Sequence, residues 1–161
     1  MAGIARSRLA QERKHWRKDH PFAFVARPHT EADGTTDLLV WDCIIPGKKG
    51  TKWAGGYYPL TLRFTEDYPE KPPTAHFPAA FFHPNVYPSG KVCLNIINED
   101  KGWKPSLSVK QILLGIQTLL DEPNNADPAQ REAYDLLRSS SANYEARVKQ
   151  EVRKYLEAPG A

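Results

Sequence analysis

The sequence predicts an α+β fold with an N-terminal helix, a four-stranded antiparallel meander sheet, a long loop and three C-terminal helices. Three observations support this fold class. Apolar residues recur at helical spacing near both ends of the chain, and four short extended segments follow one another between them. Residues 79–108 are interrupted by prolines and glycines, which predicts a long connection before the later helices. Consecutive strands with short connections favour an antiparallel meander.

The first predicted element is a helix over residues 3–18. Ala5, Leu9 and Trp16 fall on one narrow stripe at about 100° per residue, which is the pattern of a helix with one buried face. The segment Asp19-His20-Pro21 ends the helix, because a residue that precedes proline disfavours the helical region.

Four segments rich in aromatic and β-branched residues predict the strands. They cover residues 22–28, 38–46, 57–64 and 74–78. The dipeptide Asp33-Gly34 is a turn signal between the first two strands.

Three helices are predicted after the long loop. The apolar pattern of residues 109–120 follows the spacing of a strongly buried helix. Asp127-Pro128 is interpreted as an N-cap followed by proline in the first turn, so the next helix is expected to run from there to about Arg138. The apolar residues of segment 144–155 mark the last helix.

Length and composition are those of one globular domain over residues 1–161. Hydrophobic residues make up 40% of the chain and charged residues 25%, and no linker divides it. The apolar runs are too short for a membrane span, and the N-terminus lacks the apolar core of a signal peptide. Because Cys43 and Cys93 form neither a disulfide framework nor a metal-binding cluster, we expect a reducing compartment and no metal.

The positive charge is concentrated at the start of the chain. Residues 1–20 hold six basic and two acidic residues, a balance of +4, whereas the whole chain carries only +3. Arg6, Arg13 and Arg17 share one helical stripe beside the apolar one. This distribution indicates an acidic partner, for which nucleic acid and an acidic protein surface are both candidates.

Cys93 is the candidate reactive residue, because it lies in the long loop, where functional residues concentrate. Cys43, within a predicted strand, is interpreted as a small buried hydrophobe. None of the five histidines belongs to a protease signature, and the two cysteines form no C-x-x-C motif. A thiol with neither base nor redox partner suits acyl carriage, in which an activated acyl group is accepted and passed to an amine.

The motifs around Cys93 resemble those of the ubiquitin-conjugating enzyme family. They comprise His83-Pro84-Asn85 ahead of Cys93, Tyr68-Pro-x-x-Pro-Pro upstream and Trp103-x-Pro105 downstream. The resemblance covers nearly the whole chain. The basic first helix and two loop segments, 46–51 and 98–103, resemble the SUMO-conjugating members more closely than the others.

The resemblance implies four catalytic residues. Cys93 would carry the modifier as a thioester, and Asn85 would either brace the loop or donate a hydrogen bond to the oxyanion of the intermediate. Asp127 and Tyr87 would flank the incoming lysine. His83 and its neighbour Pro84 would be structural, with His83 holding the loop by hydrogen bonds.

Two further surfaces follow from the same resemblance. A substrate segment of the form hydrophobic-Lys-x-acidic would contact Ser89, Pro128, Ala129, Gln130 and Tyr134. The activating enzyme and the modifier would bind Arg6, Arg13, Lys14, Arg17 and His20.

This sequence departs from the family at Thr74 and His76, where lysines usually meet the acidic substrate residue. Lys91 and Arg131 are candidates to replace that charge, so we expect the acidic preference to be weakened or relocated. Lys101 and Lys104, near the catalytic loop, are candidates for steering an acidic partner.

The partners implied are a SUMO-type modifier, a heterodimeric activating enzyme, SUMO ligases and substrate proteins. No cofactor is expected, since ATP is used only by the upstream activating enzyme. The protein is expected to be a monomer in the nucleus and cytoplasm. It is expected to bind neither membranes nor, directly, nucleic acid. Three alternatives remain open: a ubiquitin-specific enzyme, a catalytically inactive binding module of the same fold, and a nucleic-acid-binding domain.

Overall fold

Four helices and a four-stranded sheet follow one another in the predicted order in the computed structural model, which describes residues 3–158. The helices are α1 (Ile4–Lys18), α2 (Val109–Asp121), α3 (Arg131–Ser139) and α4 (Ser141–Arg153). The strands are β1 (Val25–Thr30), β2 (Thr36–Pro46), β3 (Tyr57–Arg63) and β4 (Thr74–His76). The predicted α+β fold class is confirmed, whereas a domain over 1–161 remains a prediction, since residues 1–2 and 159–161 lie outside the described part.

The sheet is a simple meander in the order β1-β2-β3-β4, with every neighbouring pair antiparallel. Trp41 faces Leu62 and Cys43 faces Leu60 across the central pair, and all four side chains are buried. Alternate residues of β2 and β3 therefore form the sheet's contribution to the hydrophobic core.

The helices α1 and α2 each contribute a buried face to the core. In α1 the predicted stripe of Ala5, Leu9 and Trp16 is buried. In α2 every apolar position of the predicted face is buried. Ser108 and Gln111 form a reciprocal capping box at the start of α2, which satisfies backbone N–H groups that would otherwise lack partners. No helix among residues 3–158 is long and apolar enough to cross a membrane.

A buried acid on α1 fixes the start of α2. Glu12 is only 7% exposed, and its carboxylate accepts hydrogen bonds from the Val109 backbone N–H (2.8 Å) and from Arg8 Nε (3.1 Å). Arg8 in turn donates to the carbonyls of Pro105 and Leu107. The end of the long loop is thereby attached to the first helix.

The first strand begins three residues later than predicted. Phe22 lies in a turn that is closed by a hydrogen bond from the Phe24 N–H to the Pro21 carbonyl. Its side chain is 93% exposed, and Ala23 has a positive φ of 69°, which is incompatible with a strand. The fourth strand ends at His76 rather than at residue 78.

Asp127 is not the N-cap of α3, because that helix begins at Arg131 with Gln130 in the cap position. Tertiary contacts hold residues 127–130 in a non-helical path: the Ala129 N–H donates to the Pro84 carbonyl at 2.8 Å. The Asp127 carboxylate does not cap α3 and instead accepts hydrogen bonds from the side chains of Lys101 and Asn124. The prediction of a helix starting at Asp127-Pro128 is therefore wrong.

Candidate active site

The long loop enters the core through residues 81–86, all six of which are buried. Phe81 stacks between Phe77 and Trp53, with ring centroids 4.3 and 5.7 Å apart. The Phe82 N–H donates to Glu151 of α4 at 3.3 Å. Because the segment is packed from several directions, the loop is fixed in position despite having little regular secondary structure.

His83 holds this segment against α2. Its side chain is fully buried, with Nε2 2.8 Å from the Leu119 carbonyl oxygen and 3.2 Å from that of Leu120. Its Nδ1 accepts the Asn85 backbone N–H at 3.0 Å, so Nε2 is the donor and the ring is neutral. Burial lowers the pKa of His83 to about 4, although the hydrogen bonds to the two carbonyls oppose the shift. With both nitrogens occupied, this histidine supports the loop rather than serving as a base.

Asn85 joins the loop to the connection between α2 and α3. Its Nδ2 donates to the carbonyls of Asn124 and Asp127, each at 2.8 Å, and its Oδ1 accepts the Asn124 N–H at 2.8 Å. The side chain is fully buried. These contacts match the bracing role that was one of two alternatives, and both Nδ2 hydrogens are engaged in them.

Residues 86–92 form a small hairpin that presents the thiol. Val86 faces Val92 across an isolated bridge, and the Phe77 N–H donates to the Gly90 carbonyl at 2.9 Å. Gly90 has a φ of 97°, and a Cβ there would lie 2.1 Å from the Phe77 carbonyl oxygen, so the turn requires glycine. The hairpin is thus hydrogen-bonded to the segment of β4, which is an edge strand of the sheet.

Cys93 follows the hairpin and is partly exposed, and its thiol is free. Its backbone N–H donates to the Asn85 carbonyl at 2.8 Å. Cys43 is buried in the sheet, and burial raises the pKa of its thiol. The two cysteines are therefore chemically distinct: one is a core residue, and the other lies at an open cleft, lined also by Tyr87 and Leu94.

Tyr87 and Asp127, the two residues predicted to flank the incoming lysine, differ in their surroundings. Tyr87 is 43% exposed at the Cys93 cleft. The Asp127 carboxylate lies 3.0 Å from Asn124 Nδ2 and 3.3 Å from Lys101 Nζ. Asp127 and Cys93 each have a backbone group bonded to Asn85, so the network brings their chain segments together.

The predicted substrate residues are divided between exposed and structural positions. Ser89 and Pro128 are exposed, whereas Ala129 is tied to the loop by its backbone N–H. The Gln130 side chain donates inward to the carbonyls of Phe81 and Val86. Tyr134 accepts a hydrogen bond from Arg138 at 2.6 Å.

The predicted basic surface is only partly assembled. Arg13, Lys14 and Arg17 line one shallow groove between α1 and the start of β2. Arg6 instead pairs with Glu66 at 3.2 Å, and His20 stacks on Trp16. Residues 3–158 contain no group of three or more His, Cys, Asp or Glu side chains placed to hold a metal ion.

Two supporting residues were not identified from the sequence. Asn124 and Glu151 act through partners far away in the chain. Lys101 was predicted only as a steering charge, and its pairing with Asp127 was not predicted. The one available signal was that Glu151 falls on the apolar face of α4, between Val148 and Val152. A carboxylate in that position predicts a buried hydrogen-bonding role.

The His83 environment predicts a loss of stability at acidic pH. Below its ordinary pKa near 6.5 the unfolded chain binds a proton that the folded chain excludes until about pH 4. Titration of His83 therefore leaves the free energy of unfolding unchanged above about pH 7 and lowers it by roughly 3 kcal/mol as the pH falls to about 4. Urea unfolding at several pH values should show a shallower loss for His83→Gln, which keeps a donor but does not titrate; equal pH slopes would contradict the assignment.

The sequence matches a known protein family over most of its length. The family model described as Ubiquitin-conjugating enzyme matches residues 8–152. A SUMO-conjugating enzyme of Arabidopsis thaliana is 61% identical over 96% of this chain and 96% of its own length. SUMO-conjugating enzymes of Caenorhabditis elegans and Dictyostelium discoideum are 57% and 56% identical, over 96% of this chain and 93% and 98% of their own lengths. The family match, these identities and a partly exposed Cys93 on a buried, braced loop together show that the chain belongs to the ubiquitin-conjugating enzyme family.

Proposed function

We propose that this protein is a SUMO-conjugating enzyme that carries the modifier as a thioester on Cys93 and transfers it to substrate lysines. The observation that carries the proposal is a partly exposed Cys93, with a free thiol, on a loop that Asn85 and His83 hold in place. The choice of modifier rests on relatives that are 56–61% identical and are named SUMO-conjugating enzymes.

The proposed reaction has two acyl transfers. In the first, the Cys93 sulfur attacks the carbonyl carbon of the activated modifier: a new C–S bond replaces the bond to the activating enzyme, and the leaving group takes up the proton that the Cys93 thiol loses. In the second, a neutral substrate amine attacks the same carbon: a C–N bond forms, the C–S bond breaks, and the proton that the amine loses is balanced by the one that the Cys93 sulfur takes up. The sulfur returns to a thiol.

The network around Asn85 supports a division of roles in the second transfer. The Asp127 carboxylate orients the side-chain nitrogen of the incoming lysine, which attacks as the neutral amine after its ammonium group has lost a proton, since this carboxylate is partly exposed and held by Asn124. Tyr87 covers the amine from the other chain segment at the cleft. Any contribution of Asn85 to oxyanion stabilisation requires it to exchange one of its two carbonyl partners.

The proposed partners extend beyond modifier and substrate. A heterodimeric activating enzyme supplies the modifier and consumes the ATP, and SUMO ligases assist transfer, so this chain needs no cofactor of its own. We further propose that the protein acts as a monomer in nucleus and cytoplasm.

Loading of the thiol is the direct test. With ATP and the SUMO activating system, the protein is expected to form an adduct that thiol reagents cleave, and Cys93→Ser should convert it to a thiol-resistant ester. Cys43→Ala is the matched control, since that cysteine is buried in the sheet, and it should load normally. An adduct with ubiquitin alone would contradict the choice of modifier, and no adduct with either would favour an inactive binding module.

The acidic side chain of a substrate requires a positive partner, which the sequence does not supply at Thr74 and His76. Arg63 faces Thr74 across the sheet, and Lys91 bridges to His76. Burial, with the charges of Arg63 and Lys91, lowers the pKa of His76, so this ring is neutral at pH 7. We propose that Arg63 and Lys91 supply the charge. Arg131, the other candidate, lies at the start of α3 beside Asp135.

This arrangement predicts a residual preference for acidic substrates. Transfer to a hydrophobic-Lys-x-Glu peptide should be several-fold faster than to the same peptide with alanine in place of glutamate. In Arg63→Met/Lys91→Met the two rates should become similar, because the nearby cations are gone. If the unmodified protein transferred the modifier to both peptides at the same rate, the proposal that Arg63 and Lys91 recognise the acidic substrate residue would be contradicted.

The basic groove on α1 generates a separate prediction for loading. Arg13→Glu/Arg17→Glu reverses two charges that line one groove, so encounter with an acidic activating enzyme should slow by roughly tenfold at low salt. Lys149→Glu, on the exposed face of α4, is the control and should load at the normal rate. Loading that is unchanged by the double reversal would mean that the groove only contributes solubility.

A further inference from the structure

The carboxylate proposed to orient the acceptor lysine is already paired with a lysine of this chain. Lys101 Nζ lies 3.3 Å from both Oδ1 and Oδ2 of Asp127. The Lys101 side chain is 45% exposed and that of Asp127 is 27% exposed. The pair therefore lies at the surface, where an ammonium group from solution can reach the same carboxylate.

Asp127 does not depend on Lys101 for its position. Asn124 Nδ2 donates to Asp127 Oδ2 at 3.0 Å, and the Asp127 carbonyl accepts from Asn85 Nδ2 at 2.8 Å. Asn124 is itself fixed by two hydrogen bonds with the buried Asn85 side chain. When Lys101 moves away, the carboxylate retains this support and stays in place.

The energetics favour exchange over a permanent pair. Exposed lysine–carboxylate pairs contribute little stability because water solvates both ions and the long side chain loses entropy. Two ammonium groups that share one carboxylate also repel each other. Departure of Lys101 therefore favours the binding of an external lysine at Asp127, and the departure is easily reversed.

We propose that Lys101 is an internal competitor for the acceptor-lysine site: it occupies the Asp127 carboxylate until a substrate lysine displaces it. This inference rests on the proposed function of Cys93 and Asp127. Lys101 sets the apparent affinity of the site for the acceptor lysine and is not a catalytic residue. Its competition lowers that affinity by the same factor for every amine, so that lysines whose flanking residues make further contacts with the protein are those that still bind at low concentration.

The test is single-turnover discharge of the preformed Cys93 thioester to free lysine at a range of concentrations. Lys101→Met keeps the length of the side chain but removes its charge, so the lysine concentration for half-maximal rate should fall about two- to fivefold, with an unchanged maximal rate. Lys101→Arg retains a competing cation and should resemble the unmodified protein. Lys149→Met removes a lysine charge from α4 and is the matched control.

A double-mutant cycle separates competition from general repulsion. In an Asp127→Asn background the Lys101→Met change should have no effect, because there is no carboxylate to compete for. The inference would be overturned if Lys101→Met lowered the half-maximal lysine concentration equally in the unmodified and the Asp127→Asn proteins. It would also be overturned if Lys101→Met left that concentration unchanged. If discharge from Asp127→Asn is too slow, NMR titration of the Asn124 side-chain amide with Nα-acetyl-lysine amide gives the same comparison without turnover.

Failure of the proposed function has a different signature. A protein that forms no thioester on Cys93 would overturn both the function and this inference before any discharge is measured. A protein that loads and discharges normally, but in which Lys101→Met leaves the half-maximal lysine concentration and the NMR affinity unchanged, would overturn the inference alone.

Discussion

The side-chain amide of Asn85 joins two stretches of chain that the sheet and helices would otherwise leave separate. Its three hydrogen bonds fix the connection between α2 and α3 against the catalytic loop, and its own backbone carbonyl receives the Cys93 N–H. Because the amide is fully buried, these bonds lie in a low-dielectric setting, where an unmet partner is costly. Together with the contacts that Ala129 and Gln130 make to the same loop, Asn85 therefore sets the relative position of the chain segments that carry Cys93 and Asp127.

Support for Asn85 comes from the neutral His83 beneath it. The ring accepts the Asn85 N–H on one nitrogen and donates to the end of α2 with the other. Removal of water from the ring keeps it uncharged, which is the state that this pair of contacts requires. The result is an irregular loop whose buried polar groups form hydrogen bonds with other protein groups and not with solvent. This loop supports Cys93.

The sequence predicts those parts of the fold that depend on periodicity. The apolar face of α2 and the order of strands followed from residue spacing, and the motifs around Cys93 pointed to the family. The start of α3 could not be predicted, because the contact from Ala129 to Pro84 is tertiary. The start of β1 was misplaced for a different reason: the aromatic Phe22 suggested a strand, although a local turn is closed there between Phe24 and Pro21. The pairing of Lys101 with Asp127 joins residues 26 apart across two loops, so no local pattern encodes it.

The contact between the Phe82 N–H and Glu151 has a consequence for biosynthesis. Those residues are 69 positions apart, and Glu151 belongs to the last helix. During synthesis the sheet, Cys93 and α2 are all made before the carboxylate that anchors the loop. The contact from Phe82 to Glu151 can therefore form only after α4 has been synthesised, so the cysteine is made well before one of the groups that hold its loop in place.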